Sequence, residues 1–226
     1  MKKGNLSNCA SCGFPVKERI CVSREGKGSK GCPTTGMKKL VAQAKRHYEN
    51  RDIGEFARQT SIQEGECYAG RDKKPYTMHP TKPRIQEIFE FARKMGYNRL
   101  GLVFCAGFAK EAAIVNDILK NQGFEVVSAI CKVGAIPKEE IGVKENEKIY
   151  IGEHESMCNP ILQAMIVNEA KSEFNILLGL CVGHDSLFFK YAEAPTTVLA
   201  VKDRVTGNPL AAVYFCENYY AWLNIQ

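Results

Sequence analysis

From residue 99 to residue 202, strand-like and helix-like segments alternate along the chain, and this alternation restricts the fold more than any other feature. Apolar runs predict strands over 99–105, 124–131, 174–181 and 196–202. Amphipathic segments predict the intervening helices over 108–121, 160–171 and 185–192. Such alternation produces βαβ units, and near-continuous apolar strands belong to a sheet covered on both faces. We therefore predict an α/β domain, flavodoxin-like or Rossmann-like, with a parallel sheet of about four strands and helices on both faces.

The first 36 residues are of a different kind, because they are rich in Gly, Ser, Lys and Cys and show no helical or strand periodicity. Their four cysteines follow the pattern Cys9-x-x-Cys12, eight residues, Cys21, ten residues, Cys32. Four thiolates can complete a tetrahedral metal site, and so short a segment needs such a site to fold. We therefore predict a small cysteine-rich metal knuckle over residues 1–36, followed by an α/β domain with preceding helices over residues 37–226.

Several interpretations of this four-cysteine head remain open. Zinc is the leading one and an iron–sulfur cluster the main alternative, because four thiolates suit both. A redox-active CxxC pair and unliganded cysteines in a disordered tail are the others. The head is also basic, with eleven Lys and Arg against three Glu in residues 1–50, which is typical of nucleic-acid-binding segments. Ligated thiolates would cancel part of that charge, so nucleic acid is the less favoured partner.

A second set of cysteines falls where predicted strands end or a helix begins. Cys105, Cys131 and Cys181 close three strands, and Cys158 precedes the helix that starts at Pro160. The carboxyl ends of parallel strands meet at one edge of a sheet, where open α/β folds bind ligands. Helix N-termini favour thiolates, and thiolates gathered at one place need a cation among them. We therefore predict a metal or iron–sulfur cofactor on these four thiols, with a catalytic or redox dithiol and ordinary core cysteines as the alternatives.

Three further side chains are expected near the same edge. His184 follows Cys181 by three residues and would serve as a ligand or a proton donor, whereas a structural histidine that forms hydrogen bonds at a helix cap is the plainer interpretation. Lys202 and Arg204 follow the fourth strand and would bind an anionic substrate or offset thiolate charge, whereas a solvated strand terminus is the plainer interpretation. If the protein is an enzyme, we expect redox or sulfur-transfer chemistry, with these three residues in those catalytic roles.

The cellular compartment determines whether the cysteines are expected to be reduced or to form disulfides. The N-terminus has no apolar stretch that could act as a secretory signal, and the longest apolar runs are too short to cross a bilayer. We therefore expect a cytoplasmic protein without a membrane partner, in which ten reduced cysteines indicate metal binding or catalysis before disulfides. A last helix through Trp222 carries an aromatic group that predicts a core or a dimer face, so a homodimer is one expected assembly.

Several long motifs resemble a known family. They include Met157-Cys-Asn-Pro-Ile-Leu-Gln-Ala, Gly179-Leu-Cys-Val-Gly-His-Asp-Ser-Leu-Phe-Phe-Lys and Ala194-Pro-Thr-Thr-Val-Leu-Ala-Val-Lys-Asp-Arg-Val. Over nearly its whole length the chain is similar to the prokaryotic family called domain of unknown function 1847. The resemblance implies a metal-binding protein, since members are commonly labelled so, and the anaerobic origin of many members suits an oxygen-sensitive cluster. It implies no particular reaction. The competing class is a non-enzymatic adaptor that binds nucleic acid or protein through the basic head.

Overall fold

A computed structural model of the chain describes residues 7–208. The chain divides into two compact units, Met1–Ser61 and Ile62–Gln226. The predicted helix through Trp222, with its aromatic dimer face, lies outside the described residues. The predicted boundary between the metal knuckle and the rest of the chain, after residue 36, stays a prediction. Within residues 7–208, no helix combines the length and the apolar character needed to cross a bilayer.

The first unit contains short turns followed by helices. Its elements are the 3₁₀ turns Cys9–Ser11 and Val16–Glu18 and the helices α1 (Pro33–Gly36), α2 (Lys38–His47) and the start of α3 (Arg51–Glu66). The turns are held by backbone contacts, because Gly26 lies directly against the chain at Arg19, where a Cβ would come within 2.3 Å of a backbone atom. Helices α2 and α3 agree with the helical pattern that was expected from residue 37 onward.

The second unit begins with the end of α3 and a small hairpin. The strands β1 (Tyr68–Ala69) and β2 (His79–Pro80) pair in an antiparallel manner. Helix α4 (Arg84–Lys94) follows Pro83, and Gly96 beyond its end adopts a positive φ of 72°. Proline before a helix and glycine after it are ordinary helix boundaries. Helix α4 is one of the helices that precede the main sheet in the chain.

The main sheet has four parallel strands. In chain order the elements are β3 (Arg99–Phe104), α5 (Ala109–Asn121), β4 (Glu125–Ile130), α6 (Pro160–Glu169), β5 (Phe174–Leu178), α7 (His184–Tyr191) and β6 (Thr196–Ala200). The strands lie in the order β4-β3-β5-β6, and all three pairings are parallel. The predicted α/β fold with a parallel four-stranded sheet is therefore confirmed, and the element boundaries differ from the predicted ones by at most three residues.

The strand order determines where helices and ligands belong. The chain moves outward from β3 to β4 and then returns past β3 to β5, as in flavodoxin-like sheets. Because such crossovers are right-handed, α5 covers one face and α6 and α7 cover the other. On the α6–α7 face, Val103, Ala129 and Leu177 of the strands pack with Val167 of α6 and Phe188 of α7. The chain adds β4 on one side of β3 and adds β5 and β6 on the other side, so the strand order changes direction between β3 and β5. The carboxyl ends of the strands at such a point are the usual position of a ligand.

Strand β5 is shorter than predicted, and its end has a steric cause. The pairing with β6 is irregular between Leu177 and Leu178, and the next residue, Gly179, has a φ of 67°. A Cβ at Gly179 would lie 2.0 Å from the ring of Phe108, so only glycine fits there. The chain therefore leaves the strand two residues before Cys181.

Candidate thiol site

Three of the predicted sheet-edge cysteines meet beyond the ends of β3 and β4. Cys105 and Cys131 are the first residues after these strands, and their backbone N–H groups donate to the last carbonyls of β5 and β3 at 3.2 and 2.8 Å. The N–H of Asn159 donates to the carbonyl of Cys131 at 2.7 Å, which brings Cys158 to the same place. We call Cys105, Cys131 and Cys158 the thiol cluster.

The three sulfurs of the thiol cluster differ in exposure. Cys131 is only 2% exposed and belongs to the apolar core on the α6–α7 face, whereas Cys105 and Cys158 are partly exposed and pack against that core. The Cys131 side chain is hydrogen-bonded to the sulfurs of both neighbours. The backbone N–H of Ala106 also donates to Cys131 Sγ at 3.2 Å. A buried thiol therefore lies between two thiols that solvent reaches.

The connector between β4 and α6 closes on itself, and this closure brings Cys131 and Cys158 together. Its two ends pair through a bridge between Pro137 and Ser156. In its centre, the buried ammonium of Lys148 binds the carboxylates of Glu139 and Glu145 at 2.5 and 2.7 Å. A buried cation needs such partners, so these ion pairs hold the connector folded. The 26 residues between Cys131 and Cys158 thus leave the edge of the sheet and return to it.

Residues at the start of α6 hold the backbone around the thiol cluster in place. Asn159 caps the helix, since its Oδ1 accepts the N–H of Leu162 at 3.0 Å, as the Asn-Pro sequence predicts. One turn further, the fully buried Gln163 donates through Nε2 to the carbonyls of Phe104 and Ala129, at 3.2 and 2.7 Å. Gln163 therefore ties together the ends of β3 and β4. This role of Gln163 was not predicted, although a glutamine within an apolar helix turn was a usable signal.

Cys158 is paired with His184, the first residue of α7. The hydrogen bond with Cys131 and then the one with His184 lower the pKa of Cys158 to about 4, and the charge of Lys132 adds to this effect. The pKa of His184 is raised, chiefly because its ring is hydrogen-bonded to the Cys158 sulfur. Both shifts favour a thiolate–imidazolium pair at neutral pH. The Nδ1 atom of His184 is buried and has no hydrogen-bond partner among the described residues.

Cys105 is paired with Lys202, which follows β6. The hydrogen bond with Cys131, the N–H of Gly107 and the ammonium of Lys202 together lower the pKa of Cys105 to about 5, against the opposing effect of burial. Lys202 Nζ lies 3.6 Å from Cys105 Sγ and 4.5 Å from the ring centroid of Phe108. A Cβ at Gly107 would lie 2.8 Å from this ammonium, so glycine keeps its place open. The sequence analysis did not identify Gly107 or Phe108.

Cys131 carries the proton of the thiol cluster. Its hydrogen bonds to the ionised sulfurs of Cys105 and Cys158 and its burial raise its pKa well above the ordinary thiol value. Two negative neighbours oppose a third negative charge, so the central sulfur remains a thiol. These shifts therefore favour thiolates at Cys105 and Cys158 and a thiol at Cys131 between them.

Cys181 and Arg204 form a separate pair beyond β5 and β6. Arg204 Nη2 lies 3.0 Å from Cys181 Sγ. The turn that contains Arg204 is fixed by Asp203, whose Oδ1 accepts the N–H groups of Val205 and Thr206, each at 3.1 Å. Within residues 7–208, no group of three or more His, Cys, Asp or Glu side chains is arranged to hold a metal ion. A metal or iron–sulfur cofactor on the four edge cysteines therefore stays a prediction.

The four cysteines of the head also share one place. A pocket of about 60 Å³ is lined by all of the predicted metal ligands, Cys9, Cys12, Cys21 and Cys32. The backbone N–H of Phe14 lowers the pKa of Cys12. Although burial opposes it, hydrogen bonds from Thr35 and Thr34 lower the pKa of Cys32. Four thiols around one pocket, two of them biased toward thiolate, have the chemistry of zinc or iron–sulfur ligands. In the described part of the chain they are not arranged as a group that could hold a metal ion, so metal binding by the head also stays a prediction.

The chain is similar to proteins whose function is not established. An uncharacterized protein of Methanocaldococcus jannaschii is 46% identical over 143 residues, which cover 63% of this chain and 72% of that protein. No solved structure shows significant similarity to the chain. Residues 32–199 match the family described as Protein of unknown function (DUF1847), a range that contains the thiol cluster, Cys181 and His184. Because this range covers most of its length, the protein belongs to that family.

Proposed function

We propose that the thiol cluster and His184 form a thiolate reaction centre that carries out redox or sulfur-transfer chemistry on a small anionic molecule. The observation that carries the proposal is the pairing of Cys158 with His184 at the carboxyl edge of the sheet. A thiolate is the reactive form of cysteine, and an imidazolium beside it can protonate a leaving group. Reduced thiols are the normal state in the cytoplasm, which is where we propose the protein works.

Two cations give this centre its preference for an anion. Lys202 contacts the sulfur of Cys105, and Arg204 contacts the sulfur of Cys181. Both side chains follow β6, and a fixed turn holds Arg204. Arginine and lysine at such a position attract carboxylates, phosphates and anionic sulfur compounds. We therefore assign substrate binding to Lys202 and Arg204, and proton donation to His184.

The proposal is tested by thiol reactivity together with metal content. Protein purified without oxygen is treated with a limiting amount of iodoacetamide near pH 6, and the labelled cysteines are identified by mass spectrometry. We expect Cys158 or Cys105 to react first and Cys67 and Cys131 last, because both of the latter are buried and have raised pKa values. Brown protein with iron and sulfide bound to the edge cysteines would contradict a free thiolate centre and would support a cluster there.

We propose in addition that the head binds one zinc ion through Cys9, Cys12, Cys21 and Cys32. The shared pocket of these four cysteines supports this second proposal. In this role the metal would stabilise the first unit and take no part in the chemistry of the sheet edge. Metal analysis should find one zinc ion per chain, which the substitution Cys12→Ser removes and Cys67→Ser leaves in place. Iron and sulfide in the head, or protein without metal, would contradict zinc.

A further inference from the structure

We propose that Cys131 is a resolving thiol: Cys158 attacks a small external disulfide, and Cys131 then closes an internal disulfide with Cys158. This inference rests on the proposed reaction centre and adds to it a substrate class, a disulfide of the form R–S–S–R′. It also assigns different tasks to the three sulfurs of the thiol cluster, according to which of them solvent reaches.

The exposure of the cysteines separates the attacking thiol from the resolving one. Cys158 is partly exposed, so an external disulfide can reach its sulfur. Cys131 is 2% exposed and surrounded by the apolar core of the α6–α7 face, so a molecule from solvent cannot reach it. A buried thiol beside an exposed thiolate can react only with what its neighbour has already bound. That is the task of a resolving cysteine.

The backbone holds these two cysteines at a short separation. The N–H of Asn159 donates to the carbonyl of Cys131 at 2.7 Å, and the side chains of Cys131 and Cys158 are hydrogen-bonded to each other. A disulfide requires the two Cα atoms to lie about 4.4–6.8 Å apart, so chain segments that are already joined need little movement. The closed connector between the two cysteines maintains this arrangement.

In the first step, the Cys158 thiolate attacks one sulfur of R–S–S–R′. A bond forms between Cys158 Sγ and the R-bearing sulfur, and the bond between the two substrate sulfurs breaks. The leaving R′S⁻ takes its proton from the imidazolium of His184, which becomes neutral. The products are the mixed disulfide Cys158–S–S–R and R′SH.

In the second step, the Cys131 thiol passes its proton to the Cys105 thiolate and attacks Cys158 Sγ. The disulfide Cys131–Cys158 forms and RS⁻ leaves, so the two cysteines are oxidised and the substrate is reduced to two thiols. The negative charge that develops on Cys131 is stabilised by the N–H of Ala106, which already donates to its sulfur at 3.2 Å. Cys105 is the nearest base, because its sulfur shares a hydrogen bond with Cys131.

The experiment follows both steps in the full-length reduced protein with 4,4′-dithiodipyridine as the disulfide. Absorbance measures the released thiopyridone, and tryptic peptides identify the products. In the wild type we expect peptide 121–132, which contains Cys131, to be disulfide-linked to peptide 149–171, which contains Cys158. In Cys131→Ala, Cys158 should keep the thiopyridyl group. In Cys105→Ser, internal disulfide formation should slow by about tenfold or more, because the base is lost. Cys67→Ala is the matched control and should behave as the wild type.

The outcomes separate this inference from the proposed function. A wild-type protein in which Cys158 is modified but keeps the thiopyridyl group overturns the resolving role of Cys131 and leaves the reaction centre intact. A protein in which Cys158 reacts no faster than Cys67 overturns the reaction centre itself. If Cys131→Ala does not fold, Cys131→Ser gives the same comparison, because a hydroxyl forms no disulfide. A Cys105–Cys131 link in place of Cys131–Cys158 also overturns the assignment.

Discussion

At the scale of single residues, the three sulfurs of the thiol cluster differ in chemistry because their neighbours differ. His184 beside Cys158 and Lys202 beside Cys105 supply positive charge, and each lowers the pKa of its thiol. Cys131 lies between the resulting negative charges in the apolar core, which raises its pKa. In the proposed reaction centre the same functional group would act as a nucleophile at Cys158 and would hold the proton at Cys131. Burial and charge are sufficient to produce this division.

The pH dependence of Cys158 follows from its pKa of about 4. Only the thiolate is alkylated, so the rate of iodoacetamide labelling at Cys158 should rise through pH 4 and stay level from about pH 5 to about pH 8. Replacing His184 by Phe removes the hydrogen bond and the cation that stabilise the thiolate, so the midpoint should move to higher pH. Mass spectrometry of the 149–171 peptide measures both profiles. A wild-type midpoint near that of an ordinary thiol, about 8.5, would refute the pairing.

The contact between Lys202 and Cys105 can be tested by a substitution at Gly107, which lies beside the Lys202 ammonium. In Gly107→Ala, the new Cβ would lie 2.8 Å from Lys202 Nζ, so the ammonium must move away from Cys105. Losing this cation raises the pKa of Cys105, and its alkylation rate at pH 6 should fall severalfold. Gly36→Ala is the control, because nothing lies within 4 Å of its added Cβ. Equal rates in Gly107→Ala and the wild type would mean that Lys202 does not stabilise the thiolate.

Sequence alone was sufficient for part of the site. Cys105 and Cys131 could be placed because they follow apolar runs whose ends periodicity reveals, and the Asn-Pro pair located Cys158 before a helix. The tasks of Gly107 and Gln163 could not be predicted, since they depend on atoms far away in the chain, such as Lys202 Nζ. Only the folded structure shows which thiols touch one another.

At the scale of secondary-structure elements, the connector between β4 and α6 was visible in the sequence only as a link reaching Met157. Its order comes from ion pairs, those of Lys148 with Glu139 and Glu145 and that of Lys138 with Glu155, rather than from a repeating apolar pattern. Periodicity reports regular helices and strands, so an irregular segment held by charges gives no such signal. The strands, in contrast, were predicted to within a few residues because their apolar runs are continuous.

The centre of β3 contains a glycine with a packing role. A Cβ at Gly101 would lie 2.2 Å from Oδ1 of Asn175, a fully buried residue of β5 whose Oδ1 accepts a hydrogen bond from Ser172. We expect Gly101→Ala to lower the free energy of unfolding by about 2 kcal/mol, measured by urea denaturation. In an Asn175→Ala background the same substitution should cost less, because the obstructing oxygen is gone. Equal costs in both backgrounds would show that the two residues do not interact.

At the scale of the whole molecule, the two units differ in how their stability arises. The second unit contains a continuous apolar core around its sheet. Among residues 7–61, in contrast, every residue is at least partly exposed to solvent. A segment without a buried core needs another source of stability, and under the proposed zinc binding the four cysteines around one pocket would supply it. The competing hypothesis, a non-enzymatic adaptor that binds nucleic acid or protein through the basic head, stays a prediction. It requires that this binding weakens steeply as the salt concentration rises.

If the head binds zinc as proposed, removing the metal should affect one unit and spare the other. We expect a strong zinc chelator to abolish hydrogen-exchange protection across the head, residues 7–36, while amides of β3, β4 and β5 keep theirs. Cys21→Ser should reproduce the effect without chelator, because three thiolates bind zinc more weakly than four. Cys67→Ser is the control, since Cys67 lies outside the pocket of the head. Unchanged exchange in the head after complete zinc removal would show that its fold does not depend on metal. Loss of protection in the sheet would show that the two units are not independent in stability.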